Sequence, residues 1–400
     1  MKNISGKSFQ TRAVHAGELV SGAEYTPVTT PISTSVGYLY ESMDDMDAVF
    51  AGAKQGYVYV RYGNPTVAAF EEAVASLEGA EGAQAYSSGM AALHAALLGS
   101  GVKAGTPVVA AMDVYGATFT LLRGLLTTLG VNPRMVNVTD LEEIESVLKE
   151  TKPVCMLLET ISNPLLKVAD IPALARLAHS HNAVLLVDNT FATPYLFNPL
   201  SHGADYTVHS ATKYISGHGD VLAGVVATST ANKNKLSELN KLVGSVLGSF
   251  EAYLALRGLK TLPLRVAQQC RNALQVAEWL QKHPRVKKVN YPGLPGHPQH
   301  ALAEKLFEGK GYGGVLSIEL AGAGKAQVYR FMESLKIFLP ATTLGDIYSL
   351  VLHPATSSHR GLTPDERARV GIPDELVRLS IGIESADDIL SDLESALAKI

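Results

Sequence analysis

The chain has 400 residues, 46% of them apolar and 18% charged, with a formal net charge of −4. This describes a soluble globule of two domains and gives no basic footprint for nucleic acid. Two cysteines, Cys155 and Cys270, exclude a disulfide framework and fit a reducing cytoplasm; the first ten residues hold no apolar signal core, and no apolar run approaches the roughly 18 residues of a membrane span.

Residues 1–62 carry little periodicity and many turn formers, among them Pro27, Pro31, Gly52 and Gly56. Such a segment cannot bury itself and is either disordered or an arm packed on another subunit. Pro65 opens a helical pattern that Gly79 closes. Next, Ser88-Gly89-Met90 precedes an Ala/Leu-rich helix. Short apolar runs follow at 108–111, 135–138, 154–158, 184–187, 206–209 and 224–227, with helical stretches near 116–129, 140–150 and 170–181 between the first four. Buried runs alternating with helices imply an α/β domain over 63–253 with a mostly parallel sheet. In such sheets ligands sit at the carboxyl ends of strands, where Asp188 stands. Residues 254–400 read as a smaller α+β domain, with an amphipathic helix over 264–282, a Gly/Pro-rich hinge from Tyr291, strands over 313–320 and a helical tail at 385–399.

Lys213 is the most informative residue. It follows Ser210 and Thr212, one strand after Asp188. An amine flanked by hydroxyls, with a carboxylate at the preceding strand end, suits pyridoxal phosphate: a lysine for the Schiff base, an anion for the ring nitrogen, short donors for the phosphate. The bland alternative is a solvated loop lysine and a strand-end cap. The Ser88-Gly89 helix start offers unpaired amides to a phosphate, or is simply a good N-cap. Tyr115 could stack on a planar cofactor and handle a proton, or be a half-buried loop aromatic. Arg61, in a turn rich in phenols, suits a phosphate but is also an ordinary exposed arginine. Arg378 lies inside an apolar run and requires an anion, from the protein or from a substrate carboxylate. His209, His218, His353 and His359 lack metal-ligand spacing, and no metal is expected.

Together these stretches resemble the Cys/Met-metabolism (trans-sulfuration) family of pyridoxal phosphate enzymes, closest in motif to the methionine and cystathionine γ-lyases. The matching segments begin at Thr30, Arg61, Ser88, Tyr115, Glu159, Val187, His209, Arg257, Tyr291, Leu344, His353 and Arg378, nearly the whole chain. The resemblance implies the aspartate-aminotransferase-like (type I) fold of PLP-dependent transferases. It implies that Lys213 binds the cofactor covalently, that Asp188 pairs with its ring nitrogen and that Tyr115 stacks on the ring and assists proton transfer. Gly89, Met90, Ser210 and Thr212 would hold the phosphate, Tyr59 and Arg61 would reach the phosphate of a neighbouring subunit, and Asn163, Thr343 and Arg378 would hold the amino acid. The assembly implied is a homotetramer, a dimer of dimers with sites shared across each dimer.

Within the family, Leu344-Gly345-Asp346 and the stretches from Ser216 and Leu362 lie closer to methionine γ-lyase. Departures are Ala117 in place of that enzyme's cysteine, and Asn240-Lys241 in place of its Lys-Asp pair. Val58 and Tyr348 replace two acids that cystathionine γ-lyases can carry, and Tyr348 could instead cap a smaller γ-substituent. The reading is γ-elimination on methionine, homocysteine or cystathionine, giving α-ketobutyrate, ammonia and a thiol. The alternatives are γ-replacement, as in O-acylhomoserine sulfhydrylases and cystathionine γ-synthase, and more remotely a non-catalytic cofactor-binding regulator.

Overall fold

The computed structural model describes residues 4, 6–17, 27–361 and 363–400. Seven strands, β1 (Gly82–Tyr86), β2 (Pro107–Ala111), β3 (Asn132–Val136), β4 (Cys155–Glu159), β5 (Val184–Asp188), β6 (Tyr206–Ser210) and β7 (Gly224–Thr228), form one sheet. Its order is β1-β7-β6-β5-β4-β2-β3. Only β7 runs antiparallel to its neighbours. Successive side chains of a strand point to opposite faces, and both faces here are covered. Val109, Met156, Leu158, Leu185 and Val187 enter one core, while Val108, Ala110, Leu157, Leu186 and Val208 enter another. That is why the strands read as unbroken apolar runs.

The helix Pro65–Glu78 forms as its ends dictate. Asn64 caps it by accepting from Thr66 N and Val67 N, Pro65 opens it, and Gly79 closes it at φ 68°. Strand β1 is a finding the residue pattern did not foreshadow. Gly82-Ala83-Gln84-Ala85-Tyr86 has no β-branched residue, and its extension comes from the ladder with β7. The expected helix over 116–129 is helical for Gly116–Thr120 and then widens into a π turn over Leu121–Leu126.

A second sheet holds β8 (Val286–Asn290), β9 (Val315–Leu320), β10 (Leu339–Pro340), β11 (Leu350–Leu352) and β12 (Leu376–Ser380), ordered β10-β11-β12-β9-β8. The helix Leu262–Leu280 lies between the two sheets in sequence, and Ala386–Leu397 forms the tail. The Gly/Pro-rich stretch from Tyr291 is a packed loop rather than a hinge: Tyr291 is buried and its hydroxyl donates to Gly313 O at 3.0 Å. Near the N-terminus, the helix Met43–Phe50 has no buried residue, and Val28, Leu39 and Phe50 are exposed.

Candidate active site

A cavity of about 580 Å³ opens at the carboxyl ends of β4, β5 and β6. Parallel pairing sets Glu159 in register with Asp188, so two carboxyl groups stand side by side on its wall. Asp188 Oδ1 accepts from Thr190 N at 2.9 Å. Burial pushes the Asp188 carboxyl above its usual range, opposed by the hydroxyl and amide of Thr190 and by His209. His209 is itself buried and joined to Glu78 at 2.6 Å, a core pair. Glu159 is raised well above its usual range, by burial first and by Asp188 next. Sequence reasoning quoted Glu159 within a motif but gave it no part. The available signal was the one that marked Asp188: an acid closing an apolar run.

Lys213 and Arg378 meet through one residue. Lys213 Nζ donates to Thr343 Oγ1 at 2.9 Å, and Arg378 Nη2 donates to Thr343 O at 2.9 Å. Arg378 Nη1 also donates to Asn163 Oδ1 at 3.2 Å, while its Nε is buried without a partner. Arg378 is only 3% exposed and sits mid-strand between Leu352 and Ser317. Burial pulls its pKa down to about 10. Among the described residues it forms no ion pair with a carboxylate, so none of them supplies the anion that a buried guanidinium requires. The Lys213 amine is lowered by burial and then by Arg378, with Asp346 opposing.

Tyr115 lies on the cavity wall, its amide donating to Glu159 Oε1 at 2.6 Å. Gly116 lets that wall close, since a Cβ there would stand 2.2 Å from Ser358 O. At the opposite end the helix Gly89–Gly99 begins against Ser210. Ser88 Oγ accepts from Ala91 N at 3.1 Å, leaving the Gly89 and Met90 amides with no acceptor inside the helix. A Cβ on Gly89 would come within 2.8 Å of Ser210 Cβ. The Thr212 hydroxyl donates to Ala223 O at 3.2 Å and accepts from Ala223 N at 3.0 Å.

A carboxyl buried without a cation, a glycine-lined cradle of free amides and an unpaired guanidinium fit pyridoxal phosphate carrying an amino acid. Lys213, Asp188, Tyr115, Gly89, Met90, Ser210, Thr212, Asn163 and Arg378 all line the cavity, with Thr343 directly behind. Tyr59 and Arg61 do not join them in this chain. Arg61 lies against Tyr59 and Tyr62 and donates to Lys241 O. Tyr348 is half-exposed and is not among the residues that line this cavity. Ala117 lines an adjoining cavity of about 850 Å³ that shares Tyr115 and Asn163, and Asn240 is buried near Ala85 O at 3.4 Å.

Residues 10–398 match the model of the family described as Cys/Met metabolism PLP-dependent enzyme. The L-methionine gamma-lyase of Fusobacterium nucleatum subsp. polymorphum is 42% identical over 396 residues, 98% of each chain. The O-succinylhomoserine sulfhydrylase of Pseudomonas aeruginosa is 39% identical over 100% of this chain and 97% of its own. The crystal structure of cystathionine gamma synthase from Xanthomonas oryzae pv. oryzae in complex with cystathionine superposes with a TM-score of 0.91, at 38% identity and 98% coverage of both chains. With a single family model spanning both sheets and relatives aligned along their whole length, the chain belongs to the Cys/Met metabolism family of PLP-dependent enzymes.

Proposed function

We propose that the enzyme catalyses γ-elimination on a sulfur amino acid of the methionine, homocysteine or cystathionine type, giving α-ketobutyrate, ammonia and a thiol. The observation that carries this reading is Thr343, which holds the Lys213 amine and the Arg378 guanidinium on one residue. Similarity to methionine γ-lyases supports the sulfur substrate.

When bound, pyridoxal phosphate supplies an aldehyde for the substrate amine and an electron sink that acidifies the protons on Cα and Cβ. The other steps fall to the chain. Arg378 grips the α-carboxylate with its two-pronged fork, and Asn163 Oδ1 fixes the orientation of that fork. Lys213 is the cofactor anchor and, once freed, the base at Cα; its lowered pKa leaves more neutral amine near neutral pH. Asp188 would supply the negative charge that keeps the ring nitrogen protonated. The Tyr115 hydroxyl would assist proton transfer, during exchange of the lysine for the substrate amine or at the departing sulfur, and the Gly89 and Met90 amides with Ser210 and Thr212 would hold the phosphate.

A second reading, γ-replacement on an O-acylhomoserine, is favoured by the sulfhydrylase relative. It shares all of these residues and differs only in the nucleophile that meets the β,γ-unsaturated product. α-Ketobutyrate release from methionine, homocysteine, cystathionine and O-acetylhomoserine, with and without sulfide, tests both. Ketoacid from the first three supports elimination; a thiol product formed only with sulfide and the acylated substrate would overturn it.

The exposed apolar side chains of Val28, Leu39 and Phe50, and an Arg61 remote from its own cavity, support an arm over 1–62 that reaches a neighbouring subunit in a homotetramer. The domains proposed behind it are 63–253 and 254–400. Two buried free cysteines support a reducing, cytoplasmic setting.

A further inference from the structure

Glu159 and Asp188 are adjacent carboxyl groups at the ends of β4 and β5, and only Asp188 has a part in the reaction proposed. Glu159 is 9% exposed and lines the same cavity. Its Oε1 receives the Tyr115 amide at 2.6 Å, while the nearby Asn163 main chain, like that amide, favours the charged form. One side chain therefore ties the main chain of Tyr115 to the end of β4.

Two buried like charges in neighbouring strands do not both ionise cheaply. The groups facing them decide which one does. Asp188 receives the amide and hydroxyl of Thr190 and lies near His209, and a cationic ring nitrogen adds to that side. Glu159 faces Asp188 and Asp113, both acids. Lys167, the cation in this corner, is engaged with Asp113 at 3.2 Å. Glu159 is left with the Tyr115 amide and no positive partner among the described residues.

We propose that Glu159 is a positioning residue that keeps the proton of this pair: neutral, it anchors Tyr115, and it leaves Asp188 as the sole negative charge of the two, free to pair with the ring nitrogen of a bound cofactor. The inference rests on the proposed reading of the cavity as the pyridoxal phosphate site.

The test compares the wild-type holoenzyme with Glu159→Gln and Glu159→Ala. Visible absorbance of the bound cofactor is followed against pH, and pyridoxal phosphate affinity is measured on each apoprotein. Glu159→Gln keeps a neutral acceptor for Tyr115 N, so its absorbance midpoint should stay within about 0.3 pH unit of wild type. Glu159→Ala removes the acceptor. Its cofactor affinity should fall about tenfold, the loss of one buried hydrogen bond, with an unchanged far-ultraviolet spectrum.

A midpoint displaced by about one unit or more in Glu159→Gln would show that a charge had been removed and would overturn the proposal. So would unaltered cofactor affinity in Glu159→Ala. A wild-type protein that takes up no pyridoxal phosphate would overturn the reading of the site and this inference with it. Normal wild-type binding beside a displaced Glu159→Gln midpoint overturns the inference alone.

Discussion

Burial lowers the Lys213 amine below the usual lysine range, and Arg378 adds to that effect. Both influences favour the neutral form, which is the form that attacks an aldehyde or takes a proton. Lys213→Ala should abolish the visible absorbance of bound cofactor together with turnover; retained turnover would refute the assignment. Arg378 should behave differently, because its proposed part is a grip on the α-carboxylate. Arg378→Lys keeps a charge but loses the fork, and should raise KM for the amino acid on the order of tenfold to hundredfold. The visible absorbance of the cofactor should persist in that variant. A KM unchanged from wild type, measured by steady-state ketoacid release, would speak against a carboxylate partner.

Elements matter here for the tolerances they impose. Gly224, opening β7, lies so close to the turn before the phosphate cradle that a Cβ would stand 2.1 Å from Ser88 O. Gly224→Ala should destabilise the fold by roughly 2 kcal/mol or more, read as a lower urea midpoint. Within the helix Pro65–Glu78, Glu71 accepts from Gln84 Nε2 at 2.9 Å and Ala85 N at 2.7 Å. Burial raises its pKa to about 7, against the opposing Ala85 amide and Lys233. The folded state therefore binds this proton more tightly than the unfolded chain. Its stabilising contribution is complete below the unfolded value of about 4.3 and is lost as pH rises through about 7. Thermal midpoints of Glu71→Gln should fall less than those of wild type between acid and neutral pH, and equal slopes would count against this.

The elements also mark what could be read before any coordinates. Strands β2 and β4 to β7 and the helix from Pro65 were visible because burial on both faces imposes unbroken apolar runs and because caps are local chemistry, whereas β3 (Asn132–Val136) meets the expected run 135–138 only at Met135 and Val136. Strand β1 was not, since Gly82 to Tyr86 take their extension from a partner far along the chain. The same division holds in the cavity. Lys213 and Asp188 lie on neighbouring segments and announce themselves. Arg378 was recognisable as a buried cation, but its union with Lys213 through Thr343 joins residues of two sheets. Glu159 gained meaning only when strand register set it beside Asp188.

At the scale of the whole molecule, Arg61 and Tyr59 stand away from the cavity of their own chain. If they complete a neighbour's site, two inactive variants should rescue one another. Lys213→Ala and Arg61→Ala, unfolded and refolded together, should recover roughly a quarter of wild-type sites, because half of random dimers are mixed and each mixed dimer has one intact site. No recovery, assayed as ketoacid release beside the separately refolded variants, would argue for self-contained sites.

Thr343 stands on the connection between β10 and β11, whereas Lys213 follows β6 of the other sheet. The hydroxyl that secures the amine and the carbonyl that steadies the guanidinium therefore travel as one body. A carboxylate that competed with Thr343 O for Arg378 Nη2 would disturb the same residue that receives the Lys213 amine. Simple carboxylic acids, which have no amine to exchange, should thus perturb the colour of the resting enzyme.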